Sequence, residues 1–377
     1  MLPNRVFIAG YPSDVGGANT ELWHLIKMFR SQGLGVTLLT TWGEPPVEWR
    51  RRVAALGCET VAAQPEELDG ITGLTGSVVI SLCNSHFLRH LRKFDRLGCR
   101  LVWLGCMNWM FPHEAMWIRV CGQFDAAVFQ SEYQRAQLAP QIEKNCEFGK
   151  HEFDPGRLHV IPGAFDPAEF PFRPRPREPG EPFVIGRLSA AVRVSNGEPA
   201  LDKFSRNLWA QYSRIVRCRP GTRARVMGWD DKIAEHCGAP PEWAECLSQG
   251  TESPQEFLAQ CHALVPGVRA CAENWPRVGL EALSAGVPLV VESKGGWPQM
   301  LVDGAYGACV RDVEAQTTAV LRLIDDEPAR LTLARMARKR LDKLTDVATI
   351  WGRWKDLLEG LDCERTRRTA AAVSVAG

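Results

Sequence analysis

AENWPRVGLEALSAGVPLVV, residues Ala272–Val291, organises the reading of the whole chain. Two carboxylates, Glu273 and Glu281, stand eight positions apart, with Pro276 and Gly279 between them. Proline and glycine argue against one continuous helix, so Glu273 belongs on a loop and Glu281 one turn into a short helix. That helix is expected over Arg277–Ala285, stopping at Gly286 with Pro288 just beyond. Val287, Leu289, Val290 and Val291 then form an apolar run of the kind seen in buried parallel strands. A loop, a helix start and a strand converge, and two acidic groups point into one crevice. Carboxylates accept hydrogen bonds from hydroxyls and helix N-termini attract phosphate, so the crevice suits a polyhydroxylated, phosphate-bearing ligand.

Glu273-x7-Glu281 followed by Ala282-Leu-Ser-Ala-Gly-Val-Pro-Leu-Val-Val291, with Gly295 and Gly296 downstream, resembles the donor-site motif of retaining nucleotide-sugar glycosyltransferases with two Rossmann-like domains. Bacterial mannosyl- and glucosyltransferases and sucrose and glycogen synthases belong to that family. The resemblance implies an α/β fold of two Rossmann-like domains facing each other across a cleft (GT-B). The plain alternative is an amphipathic helix with two solvent-facing glutamates.

A chain of 377 residues is comfortable for two domains, and its 45% apolar and 24% charged content is that of a soluble globular protein. A net charge of +1 makes the whole molecule no electrostatic trap for nucleic acid or membrane. Thirteen cysteines without a Cys-x-x-Cys pair argue against zinc knuckles and a disulfide framework, and for a reducing, cytoplasmic setting. MLPNRVFIAGY passes straight into a strand-like run, with no signal peptide expected, and no apolar stretch approaches the ~20 residues that span a bilayer.

Taken in order, Val6–Ala9 reads as a strand, followed by a loop carrying Gly16 and Gly17. Asn19 or Thr20 is expected to cap a helix whose stripe is Leu22, Leu25, Ile26 and Phe29, and Val36–Leu39 is the next strand. Strand, glycine loop, helix and strand make a Rossmann-type opening. Ser77–Leu82 and Leu101–Leu104 are further strands, and Asp125–Gln130 another. Phe87–Gly98 reads as a helix with Arg89, His90, Arg92, Lys93 and Arg96 on one face and Arg100 after it. Such a run is usually a solvated face; the sharper reading of residues 86–100 is a docking surface for an anionic acceptor, DNA or lipid among them.

Leu158-His-Val-Ile-Pro-Gly-Ala-Phe-Asp166 resembles the segment that closes the family's first domain, and the proline-dense residues 171–182 read as a linker. The expected organisation is an acceptor domain over 1–170 and a nucleotide-sugar domain over 183–344. A helix over 345–362, with Trp351, Trp354 and Leu357 in line, is expected to cross back to the first domain, and residues 363–377 form a tail. Phe183–Ile185 leads into Gly186-Arg187-Leu188, and Lys203 follows near a helix carrying Leu208, Tyr212 and Ile215; Lys232 is a weaker candidate.

The resemblance implies a role for each of these residues. Glu281 would bind ribose hydroxyls and Glu273 the transferred sugar, while Arg187 and Lys203 would neutralise the departing diphosphate. The backbones of Gly16, Gly17, Gly295 and Gly296 would close around phosphate and sugar. The donor would be a UDP-, GDP- or ADP-sugar with no metal or further cofactor required, and the acceptor a hydroxyl of a polysaccharide, lipid, small molecule or hydroxymethylated DNA base. Two positions depart from the family pattern: Cys106 stands where a histidine is usual, with Asn108 or His113 as possible substitutes, and Gln299 where glutamate is frequent. Competing readings are an epimerase or phosphorylase of the same fold, or a silent nucleotide-sugar-binding protein.

Overall fold

The computed structural model describes residues 1–10, 16–40, 43–82, 90–106, 123–149, 154–190 and 201–375, with the side chains at 65, 147–149 and beyond 361 outside the description. The chain divides into two compact units. The first is Met1–Asp14, Ala18–Ala164 and Asp346–Gly377; the second is Val15–Gly17 and Phe165–Thr345.

The first unit runs β1 (Arg5–Ala9), α1 (Gly17–Ser31), β2 (Gly35–Thr40), α2 (Val47–Ala55), β3 (Glu59–Ala62), β4 (Val78–Leu82), α3 (Leu91–Arg96), β5 (Arg100–Gly105), β6 (Ala126–Phe129), α4 (Glu132–Gly149) and β7 (Leu158–Val160). Its seven strands are parallel in the order β3-β2-β1-β4-β5-β6-β7. Alternate residues of β1 enter opposite cores, Val6 and Ile8 on one face and Phe7 and Ala9 on the other. This is why the strand reads as a continuous apolar run. The expected stripe of α1 is buried, but the helix begins at Gly17, ahead of the anticipated caps. Glu21 instead turns inward and accepts from the Ala164 amide at 3.1 Å.

The second unit runs β8 (Phe183–Leu188), α5 (Leu208–Cys218), β9 (Thr222–Met227), α6 (Asp231–Cys237), β10 (Ala244–Leu247), α7 (Pro254–Ala259), β11 (Ala263–Gly267), α8 (Arg277–Ala285), β12 (Leu289–Glu292), α9 (Trp297–Leu301), β13 (Ala308–Val310), α10 (Val313–Asp325) and α11 (Glu327–Leu344). Its parallel sheet has the order β10-β9-β8-β11-β12-β13. Strand order reverses between β8 and β11, and in such sheets ligands settle beyond the carboxyl ends of the strands at that point. Each unit is thus a Rossmann-type α/β layer, and the architecture is the two-unit GT-B class. The helix α12 (Val347–Val375) packs in the first unit, where Trp354 meets Phe29 edge-on at 5.3 Å.

Several details add to the sequence reading. The proline-dense residues 171–182 form no helix or strand and are strapped to the second unit. Arg173 donates its amide to Ala285 at 3.0 Å, and Arg175 Nη1 donates to the Gln260 carbonyl at 2.7 Å. The buried Arg330 reaches the Arg175 carbonyl at 2.9 Å. Proline denies these residues ladder hydrogen bonds, so side chains and isolated amides hold them instead. Of the expected basic helix, α3 covers Leu91–Arg96, and Arg89 with the rest of residues 83–89 lies outside the described residues. Arg100 is buried at the start of β5, Lys93 lies 3.7 Å from Asp69, and Arg92 and Arg96 are exposed. Backbone helix also continues to Val375, in keeping with the helix propensity of its arginines and alanines. Among the described residues, no helix is long and apolar enough to cross a membrane.

The stop of α8 is as read from the sequence: Gly286 adopts φ +86°, and a Cβ there would lie 2.9 Å from the Pro174 nitrogen. Gly286→Ala is therefore expected to lower stability by about 1–3 kcal/mol through left-handed strain and displacement of the strap. Denaturant unfolding checks this, and an unchanged midpoint would contradict it.

Candidate functional site

Of the residues singled out by the sequence, Arg187, Lys203 and Glu273 come together on the second unit near the β8/β11 switch point. Arg187 is the fifth residue of β8, inside the strand rather than after it, and is 2% exposed. Its Nε donates to the Pro266 carbonyl at 3.1 Å and its Nη2 to the Lys203 carbonyl. The guanidinium carbon lies 3.6 Å from the centre of the Phe204 ring, a cation–π stack. Its Nη1 has no hydrogen-bond partner among the described residues. Burial pushes the Arg187 pKa down, opposed by Tyr212, the Cys237 and Cys271 thiols, and Glu273. An arginine keeps its charge in such surroundings, so a fixed cation lies beneath the carboxyl end of the sheet.

Lys203 ends a 3-10 turn, Leu201–Lys203, rather than opening the helix; α5 begins at Leu208. Its Nζ is 3.6 Å from Glu273 Oε1, and both side chains are partly exposed. A pair this open is worth little to stability, leaving both groups available to a ligand. Lys232 is exposed on α6. Asp202 accepts the Cys271 amide on its main-chain oxygen at 2.7 Å. The Cys271 thiol is pushed up to about 12 by burial and Glu273, so it stays protonated beside the pair.

Glu281 is the fifth residue of α8 and is 8% exposed. Burial raises its pKa to about 7, opposed by Arg277 and reinforced by Glu169. Arg277 sits one turn earlier on the helix, its guanidinium 5.3 Å from the Phe165 ring. A carboxyl buried among apolar neighbours and poised near neutrality suits a hydroxyl-bearing ligand, which it can meet as acceptor or donor.

Gly295 and Gly296 have a structural reason of their own. A Cβ on Gly295 would stand 2.2 Å from the Glu273 carbonyl, and one on Gly296 would stand 1.8 Å from the Asn274 carbonyl. The Gly296 amide donates to the Glu273 carbonyl at 2.8 Å. Only bare backbone fits here, and the glycine pair buttresses the loop that carries Glu273. Gly16 takes φ +100° and Gly17 opens α1. Cys106 is half-buried just past β5, while Asn108 and His113 lie outside the described residues. Among the described residues, no group of three or more His, Cys, Asp or Glu side chains could hold a metal ion. Gln299 lies in α9, where its carbonyl accepts from Arg340 at 3.1 Å.

Sequence reading missed Glu292 and Lys294. Glu292 ends β12 and accepts the Arg269 amide at 2.8 Å, and Lys294 Nζ lies 2.7 Å from its Oε2. Two opposite charges flanking Ser293, just before a glycine pair at a strand's carboxyl end, were the available signal.

Residues 229–340, which span both glutamates and the second glycine pair, match the family described as glycosyl transferases group 1. That match falls within the second unit. The chain is 31% identical over 208 residues to glycogen synthase of Mycobacterium tuberculosis, a match covering 52% of this chain and 48% of that protein. It thus spans about half the length of the curated relatives it matches. Among solved structures, Anabaena HepE in complex with UDP and glucose matches with a TM-score of 0.69 at 14% identity, covering 94% of this chain and 99% of that one. Staphylococcus aureus TarM, bound to fondaparinux, α-GlcNAc-glycerol and UDP, matches with a TM-score of 0.71 at 10% identity, covering 94% and 100%.

The raised Glu281 pKa links the site to stability. The folded chain holds this proton with a pKa of about 7 against an ordinary 4.5, so it binds more protons than the unfolded chain between those values. Stability contributed by the protonated form is complete below about pH 4.5, is lost as pH rises through about 7, and is flat above. Glu281→Gln is expected to melt higher than the parent at pH 8 and to match it at pH 4.5. Thermal melts across that range check this; parallel curves for the two proteins would contradict it.

Proposed function

We propose that the chain is a retaining glycosyltransferase that moves a sugar from a nucleotide-sugar to an acceptor hydroxyl. The observation that carries this reading is the buried Arg187, tied to the carbonyls of Pro266 and Lys203, with Lys203 Nζ beside Glu273 at the β8/β11 switch point. In transfer, the bond between the anomeric carbon and the phosphate oxygen breaks, and its electron pair stays on the nucleoside diphosphate. The acceptor oxygen forms the new bond on the same face, and its proton passes to the departing diphosphate. Lys203 and the unused Nη1 of Arg187 supply positive charge where the diphosphate gains negative charge. Glu281 takes the ribose hydroxyls and Glu273 the sugar.

The backbones of Gly16, Gly17, Gly295 and Gly296 offer approach to phosphate and sugar without side chains in the way. The first unit, residues 1–170 in the sequence reading, takes the acceptor. HepE and TarM were solved with UDP, which supports UDP-glucose as the first donor to try, ahead of GDP- and ADP-sugars.

The test is release of nucleoside diphosphate from UDP-, GDP- and ADP-glucose with a panel of hydroxyl acceptors. Lys203→Ala and Glu273→Ala are each expected to lower turnover by about 10²–10³-fold while the fold persists. The product should keep the anomeric configuration of the donor. Undiminished turnover in both variants, or inversion at the anomeric carbon, would contradict the reading. Product formed without acceptor would point to an epimerase, and dependence on inorganic phosphate to a phosphorylase.

A further inference from the structure

The loop from Val268 to Asn274 carries Glu273, and three successive residues of it are held by groups outside the loop. The Arg269 amide donates to Glu292 Oε2 at 2.8 Å. The Ala270 carbonyl accepts from Lys294 Nζ. The Cys271 amide donates to the Asp202 carbonyl at 2.7 Å. Glu292 and Lys294 pair with each other at 2.7 Å, so a single ion pair grips the main chain at two adjacent residues, Arg269 and Ala270. Arg269 meanwhile sits at φ +66°, a left-handed conformation that a non-glycine side chain adopts at a penalty. Such a conformation persists where surrounding contacts over-determine it, and the Glu292 hydrogen bond is the contact made by that residue's own amide.

We infer that Glu292, acting with Lys294, is a positioning residue that sets the 269–273 loop so that the Glu273 carboxylate is presented to the donor sugar. The inference rests on the donor-site reading proposed above. Glu292 touches the peptide at Arg269, not the sugar, so its effect passes through the loop. The nucleotide contact assigned to Glu281 stands on α8, a separate element that does not depend on this clamp. Loss of the clamp should therefore separate sugar recognition from nucleotide recognition. A carboxylate holding a charged donor and a backbone amide at once makes strong, directional hydrogen bonds, which suits a fixed loop over a mobile one.

The test titrates UDP and UDP-glucose against the full chain and against Glu292→Ala and Glu292→Gln, with amide hydrogen exchange followed over residues 268–274. In Glu292→Ala the affinity for UDP is expected to stay within about twofold. The affinity for UDP-glucose, or kcat with it, should fall by about ten- to a hundredfold, the loss that an ångström-scale misplacement brings. Exchange over 268–274 should quicken. Glu292→Gln keeps an acceptor for the Arg269 amide and should lie between the two, which guards against an alanine variant that folds poorly. If the parent binds UDP-glucose and both variants keep parental affinity, turnover and exchange, the clamp is overturned and the donor-site reading stands. If the parent binds neither UDP nor UDP-glucose, the donor-site reading fails and the inference with it.

Discussion

A guanidinium deprived of water and tied to two main-chain carbonyls is the constraint on which the second unit's site depends. Arg187 joins the end of β11, at Pro266, to the 3-10 turn that ends in Lys203. A buried arginine must have its donors engaged, because the charge cannot be shed and desolvation penalises each donor left open. Nε and Nη2 donate to carbonyls and the cation stacks on Phe204, which leaves the Nη1 nitrogen for something else. An anion bound there, as the proposed donor diphosphate would be, turns that open nitrogen from a defect into an asset.

From this anchor the rest of the arrangement follows outward. Fixing the Lys203 backbone fixes where its ammonium can reach, and it reaches Glu273. Fixing Pro266 fixes the start of the loop that carries Glu273, whose later residues meet Asp202, Glu292 and Lys294. Gly295 and Gly296 allow the far side of the loop to lie against bare backbone. Glu281 stands apart from this chain of contacts on α8, and its protonation is governed by burial more than by any single neighbour. The site therefore combines a rigid cationic floor with a carboxyl of adjustable charge.

Much of this was legible in the sequence. The alternation of apolar strands with glycine loops announced parallel α/β layers, and Pro276, Gly286 and Pro288 bounded α8 at the residues observed. The stripe of Trp354 and Leu357 was correctly read as a packing face. What could not be read depended on contacts between distant residues. Nothing near Arg187 announces that its partners are the carbonyls of Lys203 and Pro266, because main-chain acceptors carry no residue identity. The proline-dense segment read as free linker because composition reports the absence of ladder hydrogen bonds and not the arginines that replace them. Arg100 read as part of a basic run following the helix because its charge gave no sign that a strand would bury it. Glu292 and Lys294 drew no reading at all, because the groups they hold are main-chain.

A crystal structure of the chain grown with UDP tests the central claim most directly. The account predicts the diphosphate within hydrogen-bond reach of Lys203 Nζ and Arg187 Nη1, with the ribose hydroxyls on Glu281. Nucleotide bound away from the β8/β11 end of the sheet, with Lys203 still paired only to Glu273 and Arg187 untouched, would contradict it.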